Sequence, residues 1–399
     1  MKLRQVEFGV MPQVRVSPDL FAVEIGAESS FSFDRTGCLV RALWDGRLSR
    51  WGLDGACLVK PLPGPEVRQR RQIRLDVADG LARAAQAYEK AAVLLKAVDR
   101  RPEPPWDDVL ARIEAFGVQL MESRARRYPS VYEPVGILPP DQYGALVLQL
   151  TVGCRYNRCR FCTFYRGRTY RQKSPEEFGE HIEAVLDLLG AALGRRRSVF
   201  LGDANAFGLP FPQLHAALEL IKAKLPWGPQ GFREINSFMD LFGGMSYRPE
   251  ELETLRRLGL RRIHIGAESG SPTVLQVLNK PNSPRRLVQT VEALKAAGIG
   301  VGLIFLLGAG GDLLQTIHAE ETAELLSQLP LDAKDVVYLS ELVVEPDSEY
   351  ARWARSVGAV GLDEEALRQQ ERIIRRGLRP VGQGGPACTR YDIREFVHY

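Results

Sequence analysis

Cysteine is scarce in this chain: six in 399 residues, too few for the disulfide framework of a small secreted protein. No apolar run approaches the roughly 18 residues that a membrane-spanning helix requires. The opening stretch MKLRQVEFGVMPQVR lacks the apolar centre of a signal peptide, so the expected location is cytoplasmic, with no membrane partner. Charge of one sign never accumulates. The longest basic run is Arg195 to Arg197, and 53 Lys and Arg against 49 Asp and Glu leave a net charge of only +4. Nucleic acid is therefore permitted as a partner but not indicated. Internal repeats and low-complexity segments are also missing, which excludes solenoids and fibres. With 45% apolar and 26% charged residues, the chain is globular and long enough for two or three units.

The first 140 residues differ from the rest. Apolar stretches at 21–25, 30–33, 39–44 and 56–60, parted by Gly and Asp turn signals, predict short strands. Apolar positions three and four apart then predict two helices, 79–98 and 106–126, split by a proline-rich break at 101–105. A linker is expected at 134–140. From Ala145 the period alternates, with strands expected near 145–151, 198–202, 233–238, 262–267, 299–307 and 335–343. Helical patterns fall between and after them, near 175–190, 210–224, 248–258, 284–297, 315–328 and 363–376. Such alternation implies a parallel sheet, because a parallel connection needs a crossover long enough for a helix. Six units are too few for a closed eight-stranded barrel. The expected fold class is α/β, a partial (β/α)6 barrel at 141–350. A smaller α+β domain at 1–133, suited to substrate recognition, precedes it, and a helical extension and tail follow at 351–399. The site belongs at the carboxyl ends of the barrel strands.

Three of the six cysteines lie within nine positions, in Thr151-Val-Gly-Cys154-Arg-Tyr-Asn-Arg-Cys159-Arg-Phe-Cys162, directly after the first barrel strand. Clustered thiols in a reducing compartment indicate metal. Zinc normally takes four ligands, yet no second Cys-x2-Cys or His-x3-His occurs, and the five histidines (181, 215, 264, 318 and 398) are scattered. Three thiolates without a fourth suit a [4Fe-4S] cube held at three corners, with one iron open to another ligand. A zinc-stabilised, non-catalytic binding protein and plain structural thiols stay open as alternatives.

This loop resembles that of the radical S-adenosylmethionine (radical SAM) superfamily, whose signature is three cysteines at the same place on a partial barrel. The spacing here, Cys-x4-Cys-x2-Cys, is one residue longer than the commonest one, and Phe161 holds the aromatic position before the third cysteine. The resemblance implies Cys154, Cys159 and Cys162 as cluster ligands, S-adenosylmethionine on the open iron, and Phe161 beside that cofactor. It further implies reductive cleavage to a 5′-deoxyadenosyl radical that abstracts hydrogen from a small-molecule or peptide substrate. A one-electron reductant such as flavodoxin or ferredoxin is then a required partner.

The resemblance continues along the strands. It implies that Gly202, Asp203 and Ala204 receive the methionyl ammonium, and that Asn236 and Ser237 meet the ribose or the methionyl carboxylate. In Gly266-Ala-Glu268-Ser269-Gly270 it assigns ribose hydroxyls to Glu268, with Lys280 placed to meet a carboxylate. Plainer roles compete: Asp203 as a turn or helix cap, Lys280 as a solvated side chain, His264 as a core histidine. The glycine turn at 308–311 lacks the Lys-Ser/Thr of a phosphate loop. Cys38 and Cys57 are expected as buried thiols, and Cys388 as an inert thiol or, if the tail reaches the barrel mouth, a substrate contact. Arg outnumbers Lys 43 to 10, which keeps radical SAM modification of tRNA or another nucleic acid as an alternative. No residue is identified as catalytic, and the substrate is not legible.

Overall fold

In the computed structural model residues 11–62, 72–98, 103–242 and 247–399 are described. The start of the chain, read above for a signal peptide, and the first two residues of the proline-rich break lie outside the described residues. The chain divides into two units, one of residues 1–144, 183–196 and 394–399, the other of 145–182 and 197–393.

The first unit is a meander. Strands β1 (Gln13–Val16), β2 (Phe21–Ile25), β3 (Ser29–Phe33), β4 (Leu39–Trp44), β5 (Arg47–Trp51), β6 (Cys57–Pro61) and β7 (Ile73–Leu75) each pair antiparallel with the next. In β4, Leu39, Ala42 and Trp44 are buried while Arg41 is exposed, the alternation of a strand with one covered face. The cover is α1 (Val77–Lys96), which buries Ala84, Ala87, Ala91 and Leu94 in one cluster with Phe21, Phe31, Phe33 and Trp51. Trp51 Nε1 donates to Gly80 O at 2.8 Å. A Cβ on Gly80 would stand 2.3 Å from Gly55 O, so only glycine permits this approach of helix to sheet. The second expected helix is two, α2 (Trp106–Phe116) and α3 (Gln119–Val131), because Gly117 takes a positive φ of 50° and ends the first. From α3 the buried Arg124 pairs with Asp34 at 3.0 Å. The end of the chain belongs here too: Phe396 and Val397 are buried, and Leu53 N donates to His398 O at 2.6 Å.

The second unit opens with β8 (Leu146–Gln149), followed by a short antiparallel pair, β9 (Thr151–Val152) and β10 (Arg171–Gln172). Helix α4 (Pro175–Leu189), whose residues from 183 onward count with the first unit, leads to β11 (Ser198–Gly202), α5 (Phe211–Lys224), β12 (Glu234–Met239), α6 (Pro249–Arg257) and β13 (Leu260–Glu268). Next come α7 (Pro272–Val277), α8 (Pro284–Ala296), β14 (Gly300–Leu307), α9 (Gly311–Gln328), β15 (Val336–Glu341), α10 (Glu349–Val357), α11 (Glu364–Arg375) and β16 (Ala387–Tyr391). The main sheet runs β16-β15-β14-β13-β12-β11-β8, with every pairing parallel. Its strands are near-continuous apolar runs, such as Val301 to Leu307 in β14, as strands covered on both faces must be. The outermost strands, β8 and β16, do not pair with each other, so this is an α/β partial barrel. It has seven strands where alternation alone counted six. The seventh comes from the tail, which continues the sheet as an edge strand instead of crossing the mouth. Cys388, on β16, lies among α11 residues: Arg375 Nη1 donates to Cys388 O at 3.0 Å, and burial pushes the thiol up to about 11. That position removes the reading of Cys388 as a substrate contact at the mouth. Among the described residues no helix is long and apolar enough to cross a membrane.

Candidate cofactor site

The cysteine loop spans the gap between β9 and β10. Gly153 (φ 77°) and Asn157 (φ 46°) turn the backbone, and both residue types tolerate the left-handed region. Cys162 N donates to Cys159 O at 3.2 Å, which closes a turn on the Cys-x2-Cys pair, and Asn157 N donates to Cys154 Sγ at 3.3 Å. All three thiols are half-buried. Burial pushes Cys159 up to about 12; the Lys280 ammonium opposes this, while Cys162, Glu268 and Cys154 add to it. Cys162 is raised for the same reason, again against Lys280. The three thiols and one buried lysine thus share a neighbourhood. Among the described residues no three Cys, His, Asp or Glu side chains converge to hold a metal ion. The fit to an iron–sulfur cube rests on donor chemistry: three half-buried thiols on one short loop, with Cys162 and Cys154 among the charges that Cys159 feels.

The loop is stapled to the turn after α7. Arg160 N donates to Leu278 O and Arg160 Nη1 to Val277 O, each at 3.0 Å. Tyr156 OH donates to Asn279 O at 2.9 Å, and Asn279 Nδ2 returns a bond to Arg158 O at 2.7 Å. Asn279 itself sits at φ 51°. Phe161 packs against the apolar cluster of Val274, Leu278 and Leu306. The longer Cys-x4-Cys spacing is accommodated here, since the inserted stretch contributes Tyr156 and Arg158 to the staple.

At the end of β11, Asp203 is buried. Its backbone N donates to Thr151 Oγ1 at 3.0 Å, and its carboxylate accepts from Gly153 N at 3.4 Å. It therefore braces the cysteine loop and caps no helix; the following helical turn starts from Asn205, without a side-chain cap. Burial pushes the Asp203 carboxyl up to about 7, opposed by Gly153 N, Arg168, Gln149 and Lys173. Ala204 beside it is half-buried. Asn236 and Ser237 on β12 are fully buried, with donors used inside the sheet: Ser237 Oγ to Leu201 O at 2.8 Å, Asn236 Nδ2 to Glu234 Oε1 at 3.2 Å.

Lys280 is not a solvated side chain. It is nearly buried and forms an ion pair with Glu268 at 2.9 Å, Glu268 standing at φ 63° where β13 shifts register against β14. A Cβ on Gly266 would lie 2.5 Å from Glu268 Oε1, so this glycine makes room for the pair. Gly270 serves packing: its Cβ would stand 2.3 Å from Glu321 O on α9. His264 is a core histidine, ringed by Phe200, Phe238 and Tyr338 at centroid distances of 5.8 to 6.1 Å.

One arrangement escaped sequence reasoning. His318 Nε2 meets Leu306 O at 2.6 Å, so this nitrogen donates, and Nδ1 accepts from Ser269 Oγ at 2.8 Å. Burial pushes the ring down to about 4, keeping it neutral. Thr322 Oγ1, one turn along α9, accepts from Gly270 N at 2.9 Å. Together they lock the 268–271 turn onto α9. The signal was present as two polar residues four apart, one above the other on a helix face.

Residues 148–326 match the sequence profile of the Radical SAM superfamily. The hopanoid C-2 methylase of Rhodopseudomonas palustris is 28% identical over 193 residues, 46% of this chain and 34% of that protein. The heme chaperone HemW of Mycobacterium tuberculosis is 25% identical over 266 residues, 64% of each chain. This chain thus spans about a third of the first relative and under two thirds of the second. Among solved structures, coproporphyrinogen III oxidase (HemN) from Escherichia coli aligns with a TM-score of 0.39 and 14% identity, covering 69% of this chain and 67% of that one.

Proposed function

We propose that this chain, a member of the radical SAM superfamily and an enzyme, uses Cys154, Cys159 and Cys162 to hold a [4Fe-4S] cluster that works on S-adenosylmethionine. When bound, the pair supplies a 5′-deoxyadenosyl radical for hydrogen abstraction. The observation that carries the reading is the cysteine loop, with its three half-buried thiols at the carboxyl end of the first barrel strand. Around it the chain's own groups take complementary parts. Asp203, once ionised, receives the methionyl ammonium beside Gly202 and Ala204. Glu268 has Oε1 engaged by Lys280 and offers its other oxygen to ribose hydroxyls. Lys280 places a fixed positive charge near the methionyl carboxylate, and Phe161 closes the apolar side. Asn236 and Ser237 complete the floor.

The substrate in this reading is a small molecule or peptide, the N-terminal unit assists its recognition, and a one-electron carrier supplies the reductant. Anaerobic reconstitution tests it. The expected result is about four irons and four sulfides per chain, lost on Cys154→Ala, Cys159→Ala or Cys162→Ala, with 5′-deoxyadenosine formed from S-adenosylmethionine and dithionite. Stoichiometric zinc without labile sulfide overturns the reading.

A further inference from the structure

The net charge of +4 conceals an uneven distribution. Residues 151–174 carry six arginines and Lys173 but none of the 49 acidic residues. The rest of the chain then holds 46 basic and 49 acidic residues, so the whole excess of positive charge sits on the segment with the three cysteines. Several of these cations are occupied. Lys173 Nζ donates to Gln149 O at 2.7 Å, Arg160 binds Val277 O, Arg171 meets Glu177 at 3.6 Å, and Arg168 lies over the Tyr165 ring at 5.9 Å. Arg155, Arg158 and Arg166 are exposed and form no ion pair among the described residues. The acidic group that Arg155 feels is Asp240, whose carboxylate already accepts from Phe242 N. The start of α10 approaches through Tyr350 N, which donates to Arg160 O, yet neither Asp347 nor Glu349 pairs with a loop arginine.

We propose that Arg155, Arg158 and Arg166 form the docking surface for an acidic one-electron carrier protein; the proposal rests on the cluster assignment above. Uncompensated charge around a redox centre steers an oppositely charged partner and orients it, and it is retained where a partner, not an internal salt bridge, satisfies it. The footprint is one loop, suited to the small interfaces of electron-transfer encounters. A nucleic acid would instead require a basic stripe reaching beyond the loop, and the remaining chain has a slight acidic excess. Arg155 directly follows Cys154 and Arg158 directly precedes Cys159, so a carrier seated on them stands within a residue of the ligand sulfurs. Each docking passes one electron, leaving the carrier oxidised by one and the cluster reduced by one.

The test uses the reconstituted full chain, with flavodoxin as the probe. Flavodoxin binding is measured by titration, independently of turnover, from about 20 to about 200 mM NaCl, a range that shortens screening severalfold. Binding should weaken with salt. The Arg155→Glu/Arg166→Glu variant should bind about tenfold or more weakly and lose most of the salt dependence, while its iron content and dithionite-driven 5′-deoxyadenosine formation match the parent. If the double Glu variant fails to hold iron, Arg155→Gln/Arg166→Gln should show a smaller loss in the same direction. A parent that makes no 5′-deoxyadenosine with dithionite defeats the cluster reading, whereas the binding titration still decides the docking surface. Unchanged flavodoxin binding in the variants overturns the proposal, as does loss of salt-dependent binding to bulk tRNA with flavodoxin binding intact, which would make this surface an RNA contact.

Discussion

Asp203 illustrates what burial does to one side chain. Burial pushes its carboxyl up to about 7, against about 3.9 in an unfolded chain, because desolvation outweighs the nearby Gly153 N, Arg168 and Lys173. An acid whose pKa is raised on folding keeps its proton longer in the native state. It therefore removes stability as pH climbs from about 4 to about 7, by up to about 4 kcal/mol. Asp203→Asn should erase this slope, so that the unfolding midpoint of the variant rises relative to the parent across that interval. Equal pH profiles would show that the carboxyl ionises freely in the fold. The same residue should make S-adenosylmethionine binding stronger as pH passes about 7, since the ionised form meets the ammonium. That rise should vanish in Asp203→Asn with iron content unchanged.

Among the elements, the turn after α7 matters more than its length suggests. Asn279 holds the cysteine loop through Arg158 O and occupies a left-handed conformation that alanine resists. Losing the bond costs about 1 kcal/mol and the conformation about 1 more. Asn279→Ala should therefore release iron to a chelator up to about thirtyfold faster than the parent, and Asn279→Gly, which restores the conformation alone, should recover part of the difference. An alanine variant that retains iron as long as the parent would show the staple to be dispensable. The 268–271 turn is likewise locked, to α9. Gly270→Ala puts a methyl group 2.3 Å from Glu321 O, against backbone that cannot yield cheaply. It should destabilise the barrel by about 1–3 kcal/mol in denaturant unfolding. Full parental stability would mean that the turn and α9 separate readily.

At the scale of the molecule, the N-terminal unit is assembled from three separate stretches of chain, the last being residues 394–399. Phe396 and Val397 are buried there, and Tyr128 OH hydrogen-bonds with His398 Nδ1 at 2.9 Å. Ending the chain after Ile393 exposes the apolar surface these side chains cover, worth roughly 1.5–3 kcal/mol for each. Thermal unfolding of that unit should begin at a lower temperature, with cluster content unaltered. No shift would mean that the terminal residues add nothing to its core. A test of substrate recognition that deletes only residues 1–135 would orphan the same side chains, so the terminal segment has to be removed with them.

The sequence by itself determined the elements and the donors. Strand and helix alternation from Ala145 is a local periodicity, and three cysteines in nine positions are a local spacing, so both survive reading in one dimension. Tertiary structure decided what depends on distant partners. The Lys280–Glu268 pair bridges twelve positions and the Asn279–Arg158 staple bridges 121, separations that no periodicity encodes. The seventh strand escaped for a related reason. Its sequence, Ala-Cys-Thr-Arg-Tyr, is half-exposed at a sheet edge and carries no apolar run, so only the pairing with β15 makes it a strand. The raised carboxyl of Asp203 lay beyond the sequence even though its place at the site did not, because the energy of an ionised carboxylate is set by the water that folding removes from around it.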